Sequence, residues 1–417
     1  MKSLQAKNVW ILNHYAKTPD LAGGTRHYDF ARELIKRGYE VTIFASSFDH
    51  LRLQELKLSE GKKYKIENIN GVDFIWLKTH PYYKNDWRRV LSMFSYMWRS
   101  YWLGRKVMKT DKRIKKPDVI IGSSVHLLAV LSAHWLAKYH KAKFIMEVRD
   151  LWPQTLIDMG KLKENSPIVK ILRFLEKYLY QKAQKIIVLM YRADKYLIPL
   201  GIKKNKIEWI CNGADLSRFT GLYDKKEQSG IFEVMYFGAH GMANGLENVL
   251  EAAKIIQDKN YKEIAFSLYG NGPEKNGLIE HKKMLGLENL EFFEPVSKNK
   301  AAEIIARADI LLDNYKHHNA LKYGTSHNKL FEYMASAKPV IYTSDEKDNL
   351  VDISECGVSV PFENPQALAD AILSLYKKNP AEREKMGQRG RAYVEKYYSI
   401  PILVDKLEKL IKEASND

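Results

Sequence analysis

Several short stretches carry side chains whose types and spacing could bind anions and hydroxyl groups. In "GTSHNKLFEYMASAKPVI" (324–341), Asn328, Lys329 and Glu332 lie in one helical pattern that runs into an apolar, β-branched strand. Residues three apart on a helix share a face. A carboxylate there can accept both hydroxyls of a ribose, and an ammonium can neutralise a phosphate. The plain alternative is an exposed Lys329–Glu332 ion pair, worth little energy. In "KFIMEVRDLWPQ" (143–154), Arg149 and Asp150 follow a strand pattern. Arg149 reads as an anion or hydroxyl contact and Asp150 as a group near the reacting centre. The competing reading makes "RDLW" a structural turn that Asp150 caps.

Glycines form the second kind of signal. Gly23 and Gly24 precede Thr25 and a helix that begins near Arg26. "YFGAHGMANGLENV" carries Gly238, Gly241 and Gly245, and "SLYGNGPEKNGL" carries Gly270 and Gly272. Each loop stands between a strand pattern and a helix pattern. Glycine lets backbone approach a ligand, and a helix N-terminus offers free N–H groups to an anion. Ordinary strand-to-helix turns look the same, so no single loop decides. The Gly23-Gly24 loop lacks the full dinucleotide spacing, which counts against an NAD-type oxidoreductase. No nucleophile stands with its base and no residue cluster has metal-ligand spacing. Cys211 and Cys356 suggest neither a metal site nor a disulfide framework, and fit a reducing compartment.

These residues need a scaffold. At 417 residues the chain is too long for one ordinary core, so two domains are expected. "NVWILNHY", "YEVTIFAS", "DVIIGSS", "KFIMEVRD" and "KIIVLM" read as strands alternating with helices such as "RHYDFARELIKRG". A second series, "FEVMYFG", "IAFSLYG", "LEFFEPV", "ADILLDN" and "KPVIYT", follows the switch region near 205–219. Repeated strand–helix units imply parallel sheets covered on both faces. The reading is α/β: two Rossmann-like, doubly wound domains, 1–204 and 205–398, with a terminal helix, 399–417, packing back on the first. In such sheets ligands bind at the carboxyl ends of the strands. No signal peptide is read at the start. Val119–Ala137 lacks charged residues, but its pattern is a strand followed by a helix rather than a membrane span.

In order and separation, "AGGTRHYDFARELIKRGYEVTIFAS", "KFIMEVRDLWPQ", "CNGAD", "YFGAHGMANGL", "YGNGPEKNGL", "ADILLDN" and "HNKLFEYMASAKPVI" resemble the family 4 glycosyltransferases of the GT-B fold. Within that family they resemble the WbuB-like branch that builds O-antigen and capsule. The resemblance covers nearly the whole chain. It implies a retaining transferase with its active site between two domains, the donor on the second and the acceptor on the first. It implies a nucleotide-sugar donor, UDP-linked by analogy with that branch, and a polyprenyl-diphosphate-linked acceptor. It implies no metal or other cofactor, and a cytoplasmic protein on the inner face of the inner membrane. Glu332 matches the ribose-binding glutamate. Gly23 and Gly24 match the first-domain loop that faces the donor phosphates. Gly238, Gly241, Gly270, Asn328 and Lys329 complete the expected donor site, with Lys329, Arg149 and Asp150 nearest the chemistry. His14 and Arg26 are the expected acceptor contacts. The chain departs from the family in two places. Gly324 stands where a second glutamate is usual, and Ala239 and Asn244 stand near the places of the usual arginine and lysine. Lys329, with Arg192 or His240, is the candidate substitute.

The remaining signal is charge. Lys and Arg number 67 against 50 Asp and Glu, a net +17 that attracts anions without naming them. No nucleic-acid reader motif is present. Asp86–Lys109 places Trp87, Phe94, Trp98 and Trp102 on one helical face, with Arg88 and Arg99 along its edge. That pattern fits a helix lying on an anionic membrane. It equally fits a core helix whose aromatics pack on the sheet. Besides a transferase, a two-domain sugar-nucleotide epimerase or hydrolase and a nucleic-acid-binding protein are the other readings.

Overall fold

The computed structural model describes residues 7–84, 86–221, 230–346 and 348–416. The expected domains therefore include positions (1–6, 85, 222–229, 347 and 417) that lie outside the described residues. The first half contributes β1 (Asn8–Leu12), β2 (Glu40–Ser46), the short ribbon β3 (Phe48–Asp49) and β4 (Gln54–Glu55), β5 (Tyr64–Ile69), β6 (Val72–Leu77), β7 (Val119–Ser123), β8 (Lys143–Val148), β9 (Lys185–Val188) and β10 (Ile207–Trp209). Eight of these form one sheet in the order β10-β9-β8-β7-β1-β2-β6-β5. All pairs are parallel except β5–β6. The second half contributes β11 (Phe232–Phe237), β12 (Ile264–Tyr269), β13 (Leu290–Phe293), β14 (Ile310–Asp313), β15 (Val340–Thr343) and β16 (Gly357–Val360), a parallel sheet ordered β13-β12-β11-β14-β15-β16.

The two sheets follow from the residues that build them. Val9, Trp10, Ile11 and Leu12 of β1 are all buried, as a central parallel strand covered by helices on both faces requires. The Val119–Ala137 stretch divides into β7 and the helix Leu127–His140. Among the described residues no helix is long and apolar enough to cross a membrane. The antiparallel β5–β6 edge turns at Asn70-Gly71, both with positive φ. An Asn-Gly pair between strand patterns is the sequence signal for such a turn.

One correction concerns the boundary between the halves. β10 pairs with β9, so the first domain runs at least to Trp209 instead of ending at 204. The chain then crosses between the bodies twice, at 210–214 and at 398–400, and the crossings pair: Ala214 N–H donates to Tyr398 O, and Ile400 N–H to Ala214 O. Gly213 permits this approach, because a Cβ there would stand 2.2 Å from Tyr398 O. The terminal helix Ile400–Asn416 lies on the first domain. Arg37 pairs with Asp405 and Glu408, and Lys185 with Glu413.

One buried carboxyl lies in the first domain away from the cavity described below. Glu176 accepts from the hydroxyls of Tyr180 and Tyr196, both at 3.0 Å. Burial pushes its carboxyl up to about 8, against the weaker pull of its hydrogen bonds and Arg173. The folded state therefore holds a proton that the unfolded chain releases near its ordinary value of 4.5. Stability contributed by this proton is present below that value and is lost as pH rises towards 8. Glu176→Gln is expected to remove this slope. Its melting temperature should gain on that of the wild type between about pH 5 and pH 9, by about 2–4 °C for each kcal/mol recovered. Parallel melting curves across that range would show that Glu176 does not titrate there.

Candidate active site

Loops from the carboxyl ends of both sheets line one cavity of about 680 Å³. From the first domain come Tyr15, Lys17, Gly23, Gly24, His50, Arg89, Arg149 and Asp150. From the second come Gly238, Asn244, Tyr269, Gly270, Lys298, Asn328, Lys329 and Glu332. The two walls touch at the first glycine loop. A Cβ on Gly24 would stand 3.0 Å from Asn328 Nδ2, and Lys298 N–H donates to Pro19 O at 3.1 Å.

Lys329 and Glu332 do not pair with each other. Lys329 Nζ lies 3.1 Å from Asp313 Oδ1, donates to Asn244 Oδ1 at 3.0 Å and to Tyr236 OH at 3.4 Å, and sits 4.5 Å from the centre of the Tyr236 ring. Burial disfavours its charge, but Asp313 more than compensates and holds the ammonium above its ordinary range. Burial likewise opposes ionisation of Asp313, and Lys329 and then His327 (3.1 Å away) outweigh it, so the carboxyl is held low. Glu332 instead forms a close ion pair with Lys298, at the start of the helix Lys298–Ile305. The plain reading of a surface pair thus fails: each charge is matched from another element, and all four side chains stand within one second-domain wall.

The glycine loops hold that wall together. A Cβ on Gly270 would collide with Gly238 O at 1.8 Å, and one on Gly272 with His240 O at 2.3 Å. Only glycine lets the β11 and β12 loops pack backbone against backbone. Beside them Phe237, Tyr269 and Phe293 stack with centroids 4.4 and 4.5 Å apart. Gly241 corrects the expectation: it does not reach the cavity, and serves instead as the flank of the 3-10 turn Met242–Asn244.

On the first-domain wall Arg149 N–H donates to Ser124 Oγ at 3.2 Å, its guanidinium makes no hydrogen bond or ion pair among the described residues, and Asp150 borders the cavity. Protein surrounds Asp150 closely enough that burial raises its pKa, with Arg149 opposing. The capping alternative for Asp150 finds no side-chain hydrogen bond among the described residues. Glu147, two residues earlier, supports the pair from beneath. It accepts from Arg26 Nε at 2.9 Å, from Ser123 Oγ at 2.7 Å, and contacts His27 Nε2 at 2.7 Å.

Both expected acceptor contacts are corrected. Arg26 is buried and spends its guanidinium on Glu147 and on the carbonyls of Ile210 and Cys211, tying the first helix to the interdomain crossing. His14 lies under the cavity floor, stacked between Tyr15 and Tyr96, with Nδ1 2.8 Å from His126 Nε2. Burial, and then His126, depress its pKa well below the ordinary value. Tyr15, Lys17, His50 and Arg89 face the cavity in their place. The candidate substitutes Arg192 and His240 do not line it either. Arg192 pairs with Glu346 at 2.7 Å, and His240 is buried.

Two family models match the chain in succession. The model described as Glycosyltransferase Family 4 covers residues 23–218, and that described as Glycosyl transferases group 1 covers 232–378. The chain belongs to glycosyltransferase family 4. It is similar to the probable glycosyltransferase WbjE of Pseudomonas aeruginosa, 21% identical over 73% of this chain and 77% of that one. It is also similar to WcaI of Escherichia coli K12, named for glycosyl transfer in colanic acid biosynthesis, at 22% identity over 88% of this chain and 92% of that one. Among solved structures, the sucrose-phosphate synthase of Thermosynechococcus elongatus matches 98% of each chain with a TM-score of 0.74 at 16% identity. HepE of Anabaena, in complex with UDP and glucose, matches 97% of this chain and 98% of that one with a TM-score of 0.66 at 13% identity. The fold is GT-B, and the protein is a glycosyltransferase.

In this glycosyltransferase the missing family glutamate has a steric reason. Gly324 has φ +89°, and a Cβ there would stand 2.4 Å from the ring of Tyr191 in the first domain. Tyr191 OH in turn donates to Glu346 at 2.8 Å. The place is filled from the opposite domain. Asn212, in "CNGAD", also bridges the domains: its N–H donates to Ser326 Oγ at 2.8 Å, and its Nδ2 to Ser326 O at 2.5 Å. In the sequence alone that stretch is only a family marker. The helix Trp87–Gly104 buries Met93, Tyr96 and Met97 and leaves Trp87, Arg88, Phe94, Trp98, Arg99 and Trp102 exposed. The alternative in which those aromatics pack on the sheet is thereby corrected.

Proposed function

We propose that the transferase moves a sugar, with retention of configuration, from a UDP-sugar to a lipid-linked oligosaccharide at an anionic membrane surface, during synthesis of a bacterial surface polysaccharide. The observation that carries this reading is the convergence of Arg149, Lys298, Lys329 and the N-terminus of the helix Asn328–Ala335 on one cavity that also holds Glu332. Such a set suits a nucleoside diphosphate: cations and helix dipole for the phosphates, a carboxylate for the ribose. Stacked Phe237 and Tyr269 offer an aromatic edge beside it. The names of WcaI and of HepE with UDP support the polysaccharide setting and the nucleotide.

In the proposed reaction the acceptor hydroxyl attacks the anomeric carbon on the face from which the diphosphate leaves. The C–O bond to the diphosphate breaks, and a diphosphate oxygen takes the hydroxyl proton. Negative charge grows on the leaving group, where Lys329 and Arg149 meet it without a metal ion. Stabilisation that increases during bond breaking raises turnover rather than ground-state affinity. Asp150 orients the acceptor hydroxyl from the first-domain wall. Exposed Trp87, Phe94, Trp98 and Trp102, with Arg88 and Arg99, hold the enzyme at the lipid surface.

The test is thermal stabilisation by UDP, GDP, ADP and dTDP without added metal. UDP at about a hundredfold excess over its Kd should add roughly 2.7 kcal/mol to stability, and the others little. A shift with a different nucleotide would replace UDP; no shift with any of the four would sink the donor reading.

A further inference from the structure

The reading of a lipid-surface enzyme rests so far on one helix, Trp87–Gly104. The side of the first domain that carries it is three helices wide. Leu127–His140 packs beside Trp87–Gly104, with Ser100 Oγ and Ser132 Oγ 2.7 Å apart and Gly104 against Leu136. Pro167–Lys182 packs on the other flank of Leu127–His140, where His134 Nε2 lies 3.2 Å from Tyr178 OH. Building from the sequence of that third helix, Ile168, Ile171 and Phe174 recur at spacings of three, which sets them on one stripe. The stripe faces outward: Ile171 is 63% exposed and Phe174 76%. Isolated exposed apolar residues are ordinary, but a row of three beside a row of tryptophans is a surface that water disfavours.

Charge identifies what covers it. The three helices together contain one carboxylate, Glu176, and it is buried between two tyrosines. Their exposed ionic groups include Arg88, Arg99, Lys138, Lys170, Lys177 and Lys182, all cations. The flanking carboxylates Glu164 and Asp86 are each matched by an arginine, Arg173 and Arg88, so the apolar stripe with its excess of cations is complementary to a bilayer with anionic headgroups. Trp135 of the middle helix joins the tryptophan row, its ring centroid 5.8 Å from that of Trp98.

We infer that Ile168, Ile171 and Phe174, edged by Lys170 and Lys177, form a second insertion site, so that the enzyme lies on an anionic bilayer through two helices. This rests on the proposed membrane reading and extends it. One helix begins at the cavity edge and the other follows it closely in the chain. Arg89, in the first turn of one, lines the cavity, and the chain passes from the lining residues Thr155 and Met159 into the other. Two-helix docking sets the acceptor half of the cavity against the headgroups, where a lipid-borne acceptor is presented.

The test is co-sedimentation with phosphatidylcholine vesicles containing roughly one-third phosphatidylglycerol, an anionic surface of the required kind. Ile171→Glu/Phe174→Glu and Trp98→Ser/Trp102→Ser should each bind about tenfold more weakly or worse than wild type. Lys170→Glu/Lys177→Glu should lose the preference for anionic over neutral vesicles while melting like the wild type. Transfer to an acceptor embedded in the vesicles should fall for Ile171→Glu/Phe174→Glu, with transfer to a short water-soluble acceptor unchanged. If wild type binds and only the tryptophan pair is released, membrane docking stands and the second insertion site is overturned. If wild type does not bind the vesicles at all, both ideas fall. A wild-type dimer that the Ile171/Phe174 pair dissociates, with vesicle binding untouched, would assign the stripe to a second copy of the chain and overturn the inference.

Discussion

Replacing Lys329 by methionine is expected to lower kcat about 100- to 1,000-fold while donor KM changes little. The ammonium is largely buried and held charged by Asp313, with Asn244 and Tyr236 completing its partners. It is a fixed positive charge built into the wall before any donor arrives. A fixed charge in a shielded site stabilises a developing anion without reorganising during the reaction. The same geometry complicates the variant. Methionine would strand Asp313, which is fully buried, and removing one partner of a buried pair costs about 3–5 kcal/mol. Some loss of activity could then be loss of fold. Lys329→Met/Asp313→Asn separates the two effects, because it removes both charges. The double variant should recover most of the melting temperature and none of the turnover. Near-native turnover in the folded double variant would remove Lys329 from the reaction and leave it as a structural partner of Asp313.

The fold was legible because parallel strands buried on both faces read as apolar runs, and nearly every one of them is visible in the sequence. The edge strands β5 and β16 escaped because Tyr64–Ile69 is half-polar and exposed and Gly357–Val360 is only four residues long, and the buried β6 escaped with its hairpin partner although the Asn70-Gly71 turn marked both. The boundary moved to Trp209 because sheet membership is decided by pairing, which a three-residue strand does not announce. At the site, what sits on a strand end was found: Arg149, Asp150, Gly238 and Gly270 all border the cavity. What failed was direction. His14 and Arg26 have suitable chemistry at a suitable distance along the chain, yet both turn into the protein, towards His126 and Glu147. Tyr15, one residue from His14, turns outward. Partners far away in sequence decided these cases. Lys298 belongs with them: nothing in "SKNKAAEII" marks it as the counterion of Glu332, thirty-four positions on.

That counterion shapes the second large effect. Glu332→Ala is expected to raise donor KM about 10- to 100-fold, with kcat falling less, as removal of a ground-state contact requires. A carboxylate that accepts two hydroxyls contributes charge-assisted hydrogen bonds of about 1.5–3 kcal/mol each. Glu332 is already paired with Lys298, so the ribose must share the carboxylate rather than meet a free one. Alanine also releases the Lys298 ammonium, which lies at the cavity wall with Asn328 and Lys329. A released cation attracts diphosphate and partly masks the loss. Glu332→Ala/Lys298→Met therefore ought to bind the donor more weakly than Glu332→Ala alone, whereas Lys298→Met by itself, which loses a phosphate-facing cation but frees Glu332 for the ribose, should raise donor KM less than Glu332→Ala. The backbone tie from Lys298 N–H to Pro19 O does not depend on the side chain, so the contact between domains survives in all three variants. Measuring donor KM for the cycle checks the assignment. If Glu332→Ala leaves KM unchanged while Lys298→Met raises it, the lysine is the donor contact and Glu332 only positions it.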